Sequence, residues 1–170
     1  MSKVIVVDPS KCYACLSCVV ACAYRRANAA PSVPLGSGVL SNAACDVVAV
    51  DREAVPLVCN QCEDAPCVAV CPTGATHRDV EGGPVLLDAA RCIGCKLCVM
   101  ACPFGMARLR QDGTAAVKCD LCQDRLAQGL APACVAACPT GALQLQELDD
   151  VVRAARARAG ALLAAGGAQT

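Results

Sequence analysis

Aromatic residues are almost missing from this chain, which has no Trp, one Phe and two Tyr in 170 residues. A core built on bulky rings is excluded, and Ala, Val and Leu carry most of the apolar content. Net charge is missing as well. Lys plus Arg equals Asp plus Glu at fifteen each, so no electrostatic pull toward a polyphosphate favours nucleic-acid binding. No run approaches the roughly 20 uninterrupted apolar residues of a membrane span. The opening MSKVIVVDPSK also lacks the apolar stretch of a secretion signal.

Cysteine is what the chain has in excess, at seventeen residues. Sixteen of them fall into four quartets: Cys12, Cys15, Cys18, Cys22; Cys59, Cys62, Cys67, Cys71; Cys92, Cys95, Cys98, Cys102; and Cys119, Cys122, Cys134, Cys138. Every quartet opens with C-x2-C and closes with C-x3-C, and three of the four continue with proline. An odd total in tight clusters is not the pattern of a secreted disulfide scaffold. It predicts metal binding in a reducing, cytoplasmic setting.

Short strand-like runs separate the quartets. Val4 to Val7 precedes the first, and Val47 to Val50 precedes the second. Thr76 to Asp88 reads as a hairpin turning at Gly82-Gly83, and Ala107 to Val117 as another turning at Asp112-Gly113. Leu143 to Leu145 reads as a last strand, and Ser17 to Ala27 and Leu97 to Ala101 as short helices. Ala29 to Ser41 is expected to be an irregular loop. The fold class is α+β, small units built around metal.

The spacing selects the metal. A C-x2-C-x2-C loop can offer three thiolates to a cubane, and the cysteine three residues on points elsewhere. In bacterial two-cluster ferredoxins, C-x2-C-x2-C-x3-C-P sends that last cysteine to the other cluster. Cys92 to Pro103 fits this run position for position. Gly94 is expected to let ligand backbones approach closely, where amides can hydrogen-bond cluster sulfide. The competing assignment is structural zinc, which needs two knuckles converging on one tetrahedron. Only the fourth quartet suits it; three consecutive cysteines at C-x2 steps crowd one ion.

Cys45 lies outside the quartets, in AACDVVAV, and reads as a small buried apolar residue rather than a ligand. His77, the only histidine, reads as a hairpin residue that at most tunes a nearby cluster. Tyr13 and Phe104 flank ligands and are expected to shield clusters from water.

Swapped fourth cysteines require the quartets to pair, consecutively or nested. The second and third both end in Cys-Pro and are separated by a hairpin, like halves of one ferredoxin. The first ends Cys22-Ala23, which singles it out without deciding the order.

The stretches CNQCEDAPCVAVCPTGA, CIGCKLCVMACPFG and KCDLCQDRLAQGLAPACVAACPTGAL resemble the iron–sulfur electron-transfer subunits of multisubunit oxidoreductases. Those subunits serve molybdenum or tungsten pterin enzymes, such as dimethyl sulfoxide reductase, formate dehydrogenase and aldehyde oxidoreductase, and also carbon monoxide dehydrogenase. The resemblance covers about Val4 to Leu145 and implies four [4Fe-4S] clusters in nested pairing. Cys12, Cys15 and Cys18 would share a cluster with Cys138, and Cys119, Cys122 and Cys134 with Cys22. Cys59, Cys62 and Cys67 would be completed by Cys102, and Cys92, Cys95 and Cys98 by Cys71. Residues 1–51 and 107–146 would form an outer ferredoxin module, residues 52–106 an inner one, and residues 147–170 a helical tail.

Clusters fully ligated by cysteine leave no open iron for substrate, so the chain is not expected to be an enzyme itself. No glycine fingerprint for a nicotinamide or flavin is present. The expected function is one-electron relay between a large catalytic subunit and an acceptor subunit or ferredoxin. A tungsten or molybdenum pterin oxidoreductase is the favoured partner, aldehyde-oxidising enzymes among them. A stand-alone polyferredoxin and a partner of carbon monoxide dehydrogenase are the alternatives; a zinc-stabilised interaction module is the reading from another class. In the tail, Leu148, Val152, Ala155, Ala159 and Leu162 draw an apolar seam along a helix. That seam is expected either to pack on its own domain or to dock another subunit, a second copy of this chain included.

Overall fold

Lys3–Val7 forms strand β1, and its partner is the last strand of the chain, β8 at Leu143–Glu147. The two run antiparallel, with Ile5 opposite Leu145 and Val7 opposite Leu143. The computed structural model describes residues 3–166. Between β1 and β8 come α1 (Ser17–Ala27), β2 (Asp46–Val50), β3 (Glu53–Leu57), α2 (Pro66–Ala69), β4 (Thr76–His77) and β5 (Leu86–Leu87). They are followed by α3 (Leu97–Ala101), β6 (Arg108–Leu109), β7 (Ala116–Val117), α4 (Gln123–Ala127) and α5 (Ala133–Ala136). The architecture is α+β.

Every sheet among the described residues is two-stranded: β1 with β8, β2 with β3, β4 with β5, and β6 with β7. The hairpins expected at Gly82-Gly83 and Asp112-Gly113 form, but their ladders are only two residues long. Asp112 closes its turn by accepting from the Thr114 amide at 3.0 Å, the local bond that makes Asp a turn residue. Val47–Val50 belongs to a strand as expected, but it is half of a hairpin whose second strand, β3, was not anticipated. Asp51 and Arg52 turn it with φ of +48° and +72°, the left-handed pair a tight hairpin requires. Neither residue is glycine, so the turn carried little signal. Helix α4, inside the longest cysteine gap, was also not anticipated. The loop expected at Ala29 to Ser41 is irregular but includes 3-10 turns at Leu35–Ser37 and Val39–Asn42.

The interior is made of small side chains and sulfur. One core cluster joins Ile5, Leu143, Val58, Val117 and Leu121 to Cys18, Cys22, Cys45 and Cys134. A smaller one joins Ala65 and Val85 to Cys67. Helix α1 packs on α5, bringing the first and fourth quartets together, and α2 packs on α3 from the adjacent second and third quartets. After β8 the chain continues as α6 (Leu148–Gly166). Val152 and Leu162 on its seam are 39% and 75% exposed, so this stripe does not pack on its own domain. Residues 167–170 of the expected tail helix lie outside the described residues. Among the described residues, no helix is long and apolar enough to cross a membrane.

Candidate metal centres

All four quartets curl in the same way. The second residue after the opening cysteine is left-handed in each: Ala14, Gln61, Gly94 and Leu121, with φ of +60°, +51°, +66° and +55°. Only one of these is glycine. A non-glycine residue in this region costs about 1–2 kcal/mol, and such strain persists where the surroundings over-determine it. The reversal turns successive backbone amides toward one side, a concavity suited to negative charge. Gly94 does serve a close approach, but not between ligands. A Cβ there would lie 2.8 Å from the Gly113 carbonyl oxygen, so the loop is pressed against the β6–β7 hairpin.

Amides also reach the cysteine sulfurs. In three quartets the closing cysteine is followed by Pro-x-Gly, with Gly74, Gly105 and Gly141 all left-handed. Proline ends the preceding helix at once. The turn then returns an amide to the sulfur: Thr76 to Cys71 at 3.4 Å and Met106 to Cys102 at 3.3 Å. Cys22 is different because α1 continues through it. Its sulfur accepts instead from the Ala44 amide at 3.3 Å, twenty-two positions later. That explains the missing proline. It also gives AACD a purpose the sequence did not reveal.

Three recesses collect the cysteines. One is lined by Cys59, Cys62, Cys67 and Cys102, with Phe104 at its edge. A second is lined by Cys71, Cys92, Cys95 and Cys98. A third is lined by Cys22, Cys119, Cys122 and Cys134, with Cys45 also present. Of the remaining cysteines, Cys15 interacts with the Tyr13 phenol and Cys12 and Cys138 lie near it, while Cys18 is buried against Cys45. Tyr13 is 60% exposed and Cys15 beside it is exposed as well. Among the described residues, no three His, Cys, Asp or Glu side chains converge closely enough to hold a single metal ion. The thiols of the three recesses line a space between them instead.

The electrostatics favour an anionic occupant. The Cys22 thiol is drawn down to about 6, first by a hydrogen bond from Cys45, against burial, with help from the Ala44 amide and Arg26. Cys18 is drawn to about 7, again first by Cys45. Burial opposes ionisation of Cys71, yet the Thr76 amide and Thr73 hydroxyl bring it to about 7. Burial outweighs such help at Cys119 and pushes it up to about 12, although its sulfur accepts from the Leu121 amide at 3.4 Å and Lys118 lies near. Cys45 stands between two sets. Its own thiol is held strongly protonated by Cys134, Cys18 and Cys22, and its sulfur donates to the Cys18 carbonyl at 3.5 Å.

Cations complete the surroundings. Arg25 binds Asp120 at 2.5 Å and also Asp124, joining α1 to the Cys119–Cys122 loop. Arg26 lines the third recess, and its buried Nε has no hydrogen-bond partner among the described residues. Lys118, only 4% exposed, donates to the Cys59 sulfur at 3.5 Å. Gln61 ties the same junction together, donating to the Cys119 carbonyl at 3.1 Å and accepting from the Val85 amide at 2.8 Å. Arg78 donates to carbonyls of the same loop, at Gln61, Cys62 and Glu63. Lys118 and Gln61 resemble ordinary polar residues beside a ligand, and Arg78 lies in a hairpin away from any cysteine, so none of the three stands out in the sequence. His77 sits in β4 as expected, with Nδ1 3.1 Å from the Ala75 carbonyl oxygen and Nε2 3.2 Å from Asp79.

Inward amides, an orphaned arginine N–H and a buried ammonium among spaced thiols fit a polynuclear, negatively charged centre. The α+β fold and these sites define an iron–sulfur protein. Residues 50–148 match the 4Fe-4S dicluster domain family. An iron-sulfur protein of Rhodospirillum rubrum is 42% identical, covering 91% of this chain and 89% of its own. The thiosulfate reductase electron transfer subunit PhsB of Salmonella typhi is 42% identical over 84% of this chain and 74% of its own. The electron transport protein HydN of Escherichia coli strain K12 is 40% identical over 84% and 87%. The chain belongs to the 4Fe-4S dicluster domain family.

Proposed function

We propose that this chain is a non-catalytic electron-transfer subunit, relaying single electrons through four [4Fe-4S] sites between a large oxidoreductase subunit and an acceptor. The ligand sets are Cys12, Cys15, Cys18 with Cys138; Cys59, Cys62, Cys67 with Cys102; Cys92, Cys95, Cys98 with Cys71; and Cys119, Cys122, Cys134 with Cys22. Two nested modules follow, residues 1–51 with 107–146 outside and residues 52–106 inside. A cluster of this kind takes up and releases one electron at a time, at a potential set by charge, hydrogen bonding and exposure.

The observation that carries this reading is that the thiols form one continuous row. Cys98 feels the charge of Cys67, which joins the second recess to the first. Cys119 feels Cys59, with Lys118 spanning the same gap. Cys45 bridges Cys22 and Cys134 to Cys18. The row therefore runs from the Cys92 set through the Cys59 and Cys119 sets to the Cys12 set. In this row the amides facing Cys22, Cys71 and Cys102 stabilise negative charge on the sulfurs. Val58, Val85 and Val117, all buried, keep water from the sites, while Cys45 fills the gap as a donor rather than a ligand.

The name of PhsB supports a subunit that hands electrons on within a reductase, and that of HydN supports electron transport. A tungsten or molybdenum pterin enzyme remains the favoured partner, and a cytoplasmic setting the favoured location. Anaerobic purification from native cells tests both halves of the proposal. A large catalytic subunit should co-purify, with about sixteen irons on this chain, four per cluster. Recovery of the chain alone, or with zinc in place of iron, would contradict it.

A further inference from the structure

Lys118 is the one charged side chain that counts as buried among the described residues. Its Nζ donates to the carbonyl oxygens of Val85 and Cys119, each at 3.0 Å, and to the Cys59 sulfur at 3.5 Å. These acceptors supply no carboxylate. A buried ammonium without a counter-charge is costly, and the negative charge within its reach is that of the thiol sites. Apart from Arg78, which serves the same site through carbonyl contacts, the other cations near cysteines are matched or exposed. Arg25 and Arg26 face Asp120 and Asp124, Lys11 pairs with Asp8 at 2.9 Å, and Lys96 is exposed.

The ammonium is also held in place. Gln61 clasps the same two residues, Val85 and Cys119, through its amide, so Lys118 has little freedom to withdraw. Its charge favours the thiolates of both Cys67 and Cys119, although burial opposes them. Arg78, bound to the carbonyls of Gln61, Cys62 and Glu63, adds a second cation on the same loop.

We propose that Lys118 makes the site of Cys59, Cys62, Cys67 and Cys102 the easiest of the four to reduce, so that an electron in the relay comes to rest there. This rests on the four-site reading above. Reduction adds one negative charge to a site, and a fixed cation in a low dielectric stabilises that added charge. One electron leaves a neighbouring site as one enters this one, with no bond made or broken and no proton moved. Lys118 is a positioning residue for charge, and its place between the inner and outer sets puts the resting electron midway along the row.

Anaerobic redox titration of the full chain, followed by electron paramagnetic resonance, tests this. Cys59→Ser identifies the signal of the site in question, which should be the first to appear on reduction. Lys118→Met, which removes the charge and keeps an apolar stem, should weaken reduction of that site at least tenfold, about 59 mV for one electron. Lys118→Arg should recover most of the loss, and the first signal of a distant site should move far less. If Lys118→Met loses iron, Lys118→Gln carries the same expectation. Iron lost from both neutral variants but kept in Lys118→Arg reports the same dependence on charge. An unshifted first midpoint with full iron, an equal shift in Lys118→Arg, or a first signal untouched by Cys59→Ser overturns the proposal. An iron count in the unmodified chain well below about sixteen overturns the four-site reading instead.

Discussion

The Arg25 guanidinium lies 2.5 Å from the Asp120 carboxylate, ninety-five positions away in sequence. It ties the helix carrying Cys22 to the loop carrying Cys119 and Cys122, and it reaches Asp124 as well. The arginine side chain is only 18% exposed, so the bond is not an ordinary surface pair. Replacing Arg25 by Met should destabilise the cluster-bound chain by about 2 kcal/mol, the scale of hydrogen bonds to charged groups. Anaerobic thermal unfolding checks this. Arg25 holds Asp124 below the usual carboxylate range, mainly by its hydrogen bond. That contribution is therefore fully present above the unfolded value of about 3.9 and is lost as pH falls through the lower folded value. The loss on mutation should be constant from neutral pH down to mildly acidic conditions.

The pairing of quartets makes a sharper forecast. Cys22→Ser should perturb the centre held by Cys119, Cys122 and Cys134 while sparing that of Cys12, Cys15 and Cys18. Cys138→Ser should do the converse. Mössbauer or electron paramagnetic resonance spectra of each variant decide it. Loss of the sequence-local centre in both variants would mean self-contained quartets.

Gly94→Ala should be poorly tolerated. The added Cβ would meet the Gly113 carbonyl oxygen at 2.8 Å, at a φ of +66°. Left-handed strain and the clash together should cost at least about 2 kcal/mol. Iron should be lost first from the Cys92, Cys95 and Cys98 site. An Ala variant with unchanged iron and unfolding temperature would show that the hairpin yields freely.

Removing the tail should have the opposite outcome. From Val152 to Ala164 the side chains of α6 are exposed, so among the described residues truncation after Val151 takes away little buried surface. Stability should change by no more than about 0.5 kcal/mol, as for surface changes in general, and iron content should be unchanged. A large loss of either would reveal packing that these residues do not display.

The parts of the fold legible in the sequence were those written in residue types with one physical meaning. Gly82-Gly83 and Asp112-Gly113 announced their hairpins because few residues make such turns. The cysteine spacing announced the sites because few centres need thiols two residues apart. The Asp51-Arg52 turn was hidden, since Arg52 at φ +72° is not a usual left-handed former and the ladder around it enforces the shape. Lys118 was hidden for another reason. A lysine beside a cysteine looks solvated until Gln61 and Val85, distant in sequence, close over it. The Ala44 amide was unreadable in principle, because a backbone donor leaves no trace in residue type.

The central claim is a relay of four one-electron sites in a row. It is tested most directly by anaerobic reductive titration of the purified chain, counting electrons taken up against absorbance and paramagnetic signals. The account predicts about four electrons per chain, one for each cluster, with magnetic coupling between neighbouring signals as the later ones appear. Uptake of two electrons or fewer by a chain carrying its full iron, or native purification of a chain that holds zinc in place of iron, would contradict it.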